Sequence, residues 1–112
     1  MSFNIVSLSS FDRELKHLAK KYPSLKKDYA NLLDAIEANP KLGTSIGKNC
    51  YKIRLSITSK GKGKSGGARV ITHLLINVEA ETLYLLKIYD KGDMDNITEV
   101  ELKQLLASIK GL

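Results

Sequence analysis

The chain has 112 residues, of which 43% are hydrophobic and 27% are charged, and its formal net charge is +6. This length fits one globular domain, expected to span residues 1–112, and the composition excludes a disordered or low-complexity chain. The excess of positive charge favours an anionic partner, of which nucleic acid is the common case.

Cysteine usage and hydropathy limit the possible environments. The only cysteine, Cys50, cannot form an intramolecular disulfide, and the cysteine and histidine residues do not have the spacing of a metal site. No apolar stretch approaches the roughly 20 residues of a membrane span, and the first residues lack the pattern of a secretion signal. We therefore expect a cytoplasmic protein that needs no metal, no cofactor and no membrane.

The first part of the chain predicts a strand followed by two helices. Residues 3–8 are predicted as a short strand, and a capping-box pattern at Ser9 begins a helix that Pro23 ends. A second helix begins at Ser24 and closes at Asn39-Pro40. Both helices carry apolar residues at helical spacing, so we expect a helical hairpin packed against a sheet.

The second part predicts three antiparallel strands and a last helix. Residues 42–49 are rich in Gly, Ser and Asn and are predicted as a loop. The predicted strands start at Cys50, Arg69 and Thr82, with a bend at 59–67 and a polar turn at 77–81. The pattern Thr98-x-x-Glu101 begins the final helix, which Gly111 ends. The expected fold is α+β, in the order βααβββα, with helices on one face of a mostly antiparallel sheet.

The segment from Lys48 to Arg69 carries seven basic residues and no acidic one. Alternation places Lys52 and Arg54 on the non-core face of a strand, about 7 Å apart, and a hairpin brings an exposed Arg69 beside them. Three cations around one phosphate stabilise the extra charge of a pentacoordinate transition state. They also favour a neutral lysine, which can take a proton from a ribose 2′-OH. A solvated strand face without function is the alternative interpretation.

The glycine-rich bend differs from a nucleotide-binding P-loop. The P-loop motif needs a glycine where this chain has Thr58, and a helix after the loop where this chain has a strand. We interpret the bend as a mobile cationic loop that approaches a nucleic-acid backbone. Tyr89, at the end of the last strand, is placed to stack on a base or to donate to a phosphate. Packing within the fold is the alternative interpretation.

These segments resemble a known family of bacterial toxins. The strand CYKIRLSI, the bend KGKSGGARVI and the run LLKIYDKGDMDNIT before a C-terminal helix look like the RelE/ParE superfamily, most closely its RelE-like or HigB-like branch. The resemblance implies a RelE-like toxin of a type II toxin–antitoxin system. Such a toxin is a ribosome-dependent mRNA endonuclease that uses metal-free attack of a 2′-OH on the adjacent phosphate, and a cognate antitoxin keeps it inactive.

The resemblance also implies roles for individual residues. By position, the catalytic residues of RelE-like toxins fall on Lys52, Arg54, Arg69 and Lys91. Together with the basic bend, this gives the expected contacts with RNA: Lys48, Lys60, Lys62, Lys64 and Tyr89.

This sequence departs from the family near the last helix. RelE-like nucleases often have a tyrosine where this chain has Ile97, so Tyr89 is a candidate to replace it. Arginine stays protonated, so Lys52 is the better candidate for proton abstraction than Arg54. A ParE-like inhibitor of DNA gyrase and an inactive, antitoxin-binding corepressor remain alternatives on the same scaffold.

Overall fold

The computed structural model describes residues 3–109, so the expected helix end at Gly111 lies outside the described residues. In chain order the elements are β1 (Asn4–Ser7), α1 (Ser9–Lys21), α2 (Leu25–Ala38), β2 (Thr44–Gly47), β3 (Cys50–Leu55), a 3₁₀ turn (Thr58–Lys60), β4 (Ala68–Ile76), β5 (Glu81–Asp90) and α3 (Glu99–Ala107). The predicted α+β class is confirmed, and every predicted helix and strand is found.

The five strands form one mixed sheet in the order β1-β5-β4-β3-β2. β1 runs parallel to β5, and the other neighbouring strands are antiparallel. The central strands β4 and β5 are long and buried along most of their length. Both strands have apolar residues on their two sides, because both faces of the sheet are covered at this point.

The prediction of a loop over residues 42–49 is wrong, because Thr44–Gly47 forms the edge strand β2. A two-residue turn joins β2 to β3, and its residues Lys48 and Asn49 both have positive φ angles, 55° and 57°. Such turns match the twist of a β-hairpin. Of the β2 residues only Ile46 is strongly apolar, so an exposed edge strand leaves little trace in the hydrophobic pattern.

The two N-terminal helices cover one face of the sheet, which we call the first face. Their buried residues Phe11, Leu18, Leu25, Leu32 and Ile36 pack against strand residues that include Ile53, Val70, Leu74, Leu83 and Leu85. This contact supplies the main apolar core of the described residues.

The expectation that all helices lie on one face is wrong, because α3 packs on the opposite, second face. Leu102 and Ile109 form a separate apolar cluster with Cys50, Ile71, Leu86 and Tyr89. The central strands have apolar residues on both sides, so the second face also needs a cover. Helical periodicity alone does not indicate which side a helix takes.

Glu14 completes the outer edge of β5. The pairing of β1 with β5 ends at Ser7 and Leu85, which leaves later backbone groups of β5 without a strand partner. The Oε1 atom of Glu14 accepts a hydrogen bond from the Ile88 N–H at 3.2 Å, and its Oε2 atom lies 3.1 Å from the Lys87 ammonium.

Lys87 joins the helices of both faces, since its ammonium also lies 2.8 Å from Glu101 of α3. Burial alone would lower the pKa of Lys87, but its hydrogen bonds to Glu101 and Glu14 raise it. The half-buried ammonium therefore stays charged and ties α1 and α3 to the sheet.

Gly67, at the entry to β4, offers a test of the packing around the bend. A Cβ atom at Gly67 would lie 2.1 Å from the carbonyl oxygen of Leu55, so the backbone would have to move. We predict that Gly67→Ala lowers the free energy of unfolding by about 2 kcal/mol or more, as overpacking does, measured by urea denaturation. Gly63→Ala is the control, because nothing lies within 4 Å of its Cβ and its φ is 61°. It should lose only about 1 kcal/mol, and equal losses would contradict the prediction.

Candidate functional site

The predicted catalytic cations lie in neighbouring rows on the second face. In the strand register Arg54 of β3 is opposite Arg69 of β4, which is opposite Tyr89 of β5. The next row places Lys52 in line with Lys87 through Ile71. Neighbouring strands are about 4.8 Å apart, so the register brings Lys52, Arg54 and Arg69 together.

Arg69 is only 5% exposed, so the expectation of an exposed arginine is wrong. Its Nη1 atom donates to the carbonyl oxygens of Lys64 and Ala68 at 2.9 and 3.1 Å, and its Nη2 atom donates to the Ser65 carbonyl at 3.2 Å. Arg54 and Arg69 are directly opposite on neighbouring strands, where like charges repel each other. The guanidinium of Arg69 instead contacts carbonyl oxygens of the bend. These contacts use three of the five N–H donors of a guanidinium, so donors remain for an anion.

The loop that follows β5 contacts both Lys52 and Lys91. The Lys52 ammonium donates to the Asn96 side-chain oxygen at 2.9 Å, and the Lys91 ammonium lies 3.1 Å from Oδ1 of Asp95. Asp95 and Asn96 are adjacent, so one short segment contacts both lysines. We call the surface formed by Lys52, Arg54, Arg69 and Lys91 the cationic face.

A cleft of about 430 Å³ opens beside the cationic face, between the β2–β3 turn and the start of α3. Lys48 and Lys52 lie on one side of it, and Asn96 and Ile97 lie on the other. Ile97 is half-buried and lends the cleft an apolar wall. The predicted helix start is confirmed at this point, because the Thr98 hydroxyl oxygen accepts a hydrogen bond from the Glu101 N–H.

The lysines of the bend differ in their surroundings. Lys62 and Lys64 are exposed, as is Lys48 on the neighbouring turn. The Lys60 ammonium instead lies 2.5 Å from Oδ1 of Asp90 and 5.7 Å from the centre of the Tyr22 ring. The expectation of Lys60 as a free contact for RNA therefore needs correction, because a buried carboxylate already binds its charge.

Tyr89 is 6% exposed and packs in the apolar cluster under α3. The expectation that its ring is free to stack on a base does not match this position. Strand alternation places Tyr89 on the second face beside Arg69, but α3 covers it there, and the sequence did not show that cover. Burial raises the pKa of Tyr89, so its hydroxyl stays protonated.

Comparison with known proteins decides the family. A family model described as the RelE toxin of the RelE/RelB toxin–antitoxin system matches residues 11–111. The chain belongs to the RelE toxin family. A solved structure of the E. coli toxin RelE, an arginine-to-alanine double mutant in the free state, is similar with a TM-score of 0.62 at 13% identity, over 97% of this chain and 99% of that chain. That likeness shows a RelE-like fold, and the family implies an antitoxin partner.

Two buried aspartates, which the sequence did not single out, fix the bend of this toxin. Asp90 is 3% exposed and accepts hydrogen bonds from the Lys60 ammonium, the Tyr22 hydroxyl and the Gly92 N–H. Burial by itself would raise the pKa of Asp90, but these hydrogen bonds outweigh it and lower the pKa to about 2. Asp90 therefore stays ionised and ties the start of the bend to α1.

Asp28 makes the second attachment. It is 8% exposed, and it accepts hydrogen bonds from the Thr58 N–H, the Thr58 hydroxyl and the Ser24 hydroxyl at 3.0, 2.7 and 2.8 Å. Burial opposes its ionisation, but the hydrogen bonds leave its pKa lowered. No sequence signal reveals these pairs, because the partners lie 30 positions apart along the chain.

The Cys50 thiol and the His73 imidazole are buried in contact with each other. Cys50 is fully buried with its Sγ 3.5 Å from Nδ1 of His73, and burial raises the pKa of Cys50 to about 11. A protonated, buried thiol is a poor nucleophile. Within residues 3–109 no group of three or more His, Cys, Asp or Glu side chains is arranged to hold a metal ion. Over the same residues no helix is both long and apolar enough to span a bilayer.

The ion pair of Asp90 predicts an acid-sensitive stability. We expect Asp90→Asn to lower the free energy of unfolding by about 3 kcal/mol at pH 7, because Lys60 then keeps a partly buried charge without its partner. In the wild type the folded pKa of about 2 lies below the usual aspartate pKa of 3.8, so the stabilisation is present above pH 4 and is lost as the pH falls toward 2.

The measurement is urea denaturation from pH 7 to pH 2. The wild type should lose roughly 2 kcal/mol more than Asp90→Asn over the acidic range. Asp34→Asn, at an exposed position of α2, is the matched control and should behave as the wild type. Identical acid profiles for Asp90→Asn and the wild type would show that the ion pair contributes nothing.

Arg69 gives a second stability test. We predict that Arg69→Ala costs about 2 kcal/mol, because carbonyl groups of the bend lose a buried donor, and that amide hydrogens of residues 61–67 exchange faster. Arg54→Ala, at an exposed position of the same row, should change stability by no more than about 0.5 kcal/mol. A stable Arg69→Ala variant with an unchanged bend would contradict a structural role for this arginine.

Proposed function

We propose that this toxin is a ribosome-dependent endonuclease that cleaves messenger RNA and so inhibits translation. The observation that supports the proposal is that the strand register puts Lys52, Arg54 and Arg69 beside each other on one face of the sheet. The adjacent residues Asp95 and Asn96 contact Lys91 and Lys52. In the proposed reaction the ribose 2′-oxygen forms a bond with the adjacent phosphorus while the bond to the 5′-oxygen breaks. A base takes the 2′-OH proton, and the leaving 5′-oxygen gains one, which gives a cyclic phosphate and a 5′-hydroxyl.

Lys52 is the proposed general base. Arginine side chains stay protonated, so a lysine is the better group to accept the 2′-OH proton. The hydrogen bond to Asn96 fixes the position of the Lys52 amine on the cationic face. Arg54, exposed one row away, is proposed to bind a non-bridging phosphate oxygen, and Lys91 to stabilise the negative charge near the leaving oxygen.

Arg69 is proposed to stabilise the charge of the phosphate from its buried position in the sheet. Its position is fixed by the bend carbonyls, and it keeps donors that those carbonyls do not use. A charge held in place before the substrate arrives needs no rearrangement as the transition state forms. The same contacts that stabilise the bend thus hold the catalytic charge in position.

The exposed lysines mark a proposed path for the RNA backbone. Lys48 lies on the β2–β3 turn, while Lys62 and Lys64 lie on the bend, so they flank the cationic face. The cleft beside Lys52 is proposed to receive a nucleobase, with Ile97 as an apolar contact in place of a stacking tyrosine.

The dependence on the ribosome follows from what the cationic face offers. Tyr89, which lies in the same row as Arg54 and Arg69, is buried. This row therefore offers charge but no exposed aromatic ring to orient a base. Positioning contributes on the order of 7–11 kcal/mol to well-oriented reactions. We propose that the ribosome supplies this orientation by presenting the codon of its A site.

Primer extension on a defined messenger RNA in a reconstituted translation reaction tests this function. We expect the wild-type toxin to cut at codons in the A site, and Arg54→Ala to cut at least about 100-fold more slowly, as for loss of a transition-state donor. Arg54 is a sharper probe than Arg69, because Arg54 is exposed and its loss should leave the fold intact.

Arg13→Ala, which removes an exposed arginine from α1, is the matched control and should cut as the wild type does. Equal cleavage rates for Arg54→Ala and the wild type would contradict a catalytic role of the cationic face. Intact message with stalled DNA gyrase would favour the ParE-like alternative, and unaffected growth would favour the corepressor.

A further inference from the structure

Asn96 gives Lys52 an uncharged partner, and this distinguishes Lys52 from the other lysines that have a side-chain partner. The Lys52 ammonium donates to Oδ1 of Asn96 at 2.9 Å, and it forms no ion pair with any residue from 3 to 109. Within the same residues, each other lysine that contacts a side-chain oxygen contacts a carboxylate: Lys60, Lys87, Lys91 and Lys103. The lysine that we assign as general base is therefore the one held by an amide.

The charge of the acceptor matters for a lysine that has to act as a base. A lysine accepts a proton only in its neutral amine form. A carboxylate within about 4–6 Å stabilises the charged ammonium form. An amide oxygen has no net charge and accepts an N–H from either form. An amide at position 96 can therefore orient the Lys52 nitrogen without holding a proton on it.

The other charged groups near Lys52 do not replace a carboxylate partner. Lys48 of the β2–β3 turn lines the same cleft, and Arg54 is two positions further along β3. Glu99, at the start of α3, contributes an acidic group to the cleft lining, but its Oε1 atom lies 3.5 Å from the Lys103 ammonium. The acceptor at position 96 is therefore the contact that decides whether the Lys52 ammonium has a counter-charge beside it.

The loop that carries Asn96 is fixed on both sides of this residue. On one side, the Met94 N–H donates to the Asp90 carbonyl oxygen at 3.2 Å. On the other side, Thr98 caps α3. The side chains of Met94 and Ile97 pack against the apolar cluster under α3. The amide thus has a defined position before a substrate arrives, as is required of a group that orients another.

We propose that Asn96 is a positioning residue of the endonuclease reaction, which orients the Lys52 amine without supplying the charge that would keep it protonated. Its Oδ1 atom accepts one N–H of the amine, so the nitrogen lone pair is free for the substrate. The 2′-OH proton moves to this nitrogen while the 2′-oxygen forms its bond with phosphorus and the bond to the 5′-oxygen breaks. The inference rests on the proposed function, because it concerns the first proton transfer of that reaction.

The pH dependence of cleavage tests this role, measured in single-turnover reactions with the toxin in excess over programmed ribosomes. Asn96→Asp keeps the size of the side chain and its oxygen acceptor but adds a negative charge beside Lys52. We expect the acidic limb of the pH–rate profile to move up by roughly one pH unit. Cleavage at a pH on this limb then falls about tenfold and recovers as the pH rises. Asn4→Asp, at an exposed position of β1, is the charge-matched control and should keep the wild-type profile.

Two further variants separate the position of the amine from its charge. Asn96→Ala removes the acceptor and adds no charge, so the rate should fall roughly tenfold at every pH while the acidic limb keeps its place. Asn96→Gln retains an amide and should recover part of that rate. A wild-type profile for both Asn96→Asp and Asn96→Ala would overturn the proposal. So would an Asn96→Asp profile that is lowered equally at all pH values.

A titration of the free toxin keeps this inference distinct from the proposed function. In isotope-labelled protein, the side-chain carbon bonded to Nζ of Lys52 should titrate at a higher pH in Asn96→Asp than in the wild type. The exposed Lys41 serves as the internal control and should titrate identically in both. Identical titrations of Lys52 would overturn the proposal even for a toxin that cuts messenger RNA. A shifted titration in a toxin that cuts no messenger RNA would instead refute the endonuclease function, and with it the catalytic use of this contact.

Discussion

A buried carboxylate at the end of β5 determines how the cationic face is built. Asp90 is 3% exposed, and an ionised group there needs charged and hydrogen-bonding partners. Lys60 supplies the charge and Tyr22 a hydroxyl, so the ion pair fixes where the bend leaves the sheet. Lys91 follows Asp90 directly, and its N–H donates to the Gly67 carbonyl oxygen at the end of the bend at 3.0 Å. One buried ion pair thus sets the positions of the bend and of a catalytic candidate.

Positive charge is concentrated on the cationic face, and three of its four cations contact nearby hydrogen-bond acceptors. Arg69 contacts carbonyl oxygens of the bend, Lys52 contacts Asn96 and Lys91 contacts Asp95. These acceptors are neutral or exposed, so they orient the cations while neutralising little of their charge. Arg54 remains in solvent. The charge that is left is what an RNA backbone would neutralise, with release of its counterions.

The sequence predicts the parts of the site that depend on strand alternation, and it fails where a contact depends on the path of a loop. Alternation suffices to place Lys52 and Arg54 on one face, because side chains on a strand repeat every two residues. The burial of Arg69 depends on carbonyls of the bend, and the pairing of Lys60 depends on a residue 30 positions away. The cover of Tyr89 depends on the face that α3 occupies. None of these has a local signal.

The two faces of the sheet carry different covers and present different surfaces to solvent. The helical hairpin presents a partly apolar cleft that Lys16, Lys20 and Lys26 line, while the second face presents ordered cations and a cleft. A single short helix cannot cover both, so an antitoxin that does so must pass an edge of the sheet. At the β5 edge the Glu14 carboxylate already accepts the hydrogen bond of the Ile88 N–H. At the other edge the pairing of β2 reaches only Lys52, which leaves the backbone of Arg54 open. A chain that passes from the helical hairpin over this edge would arrive directly at the exposed arginine of the cationic face.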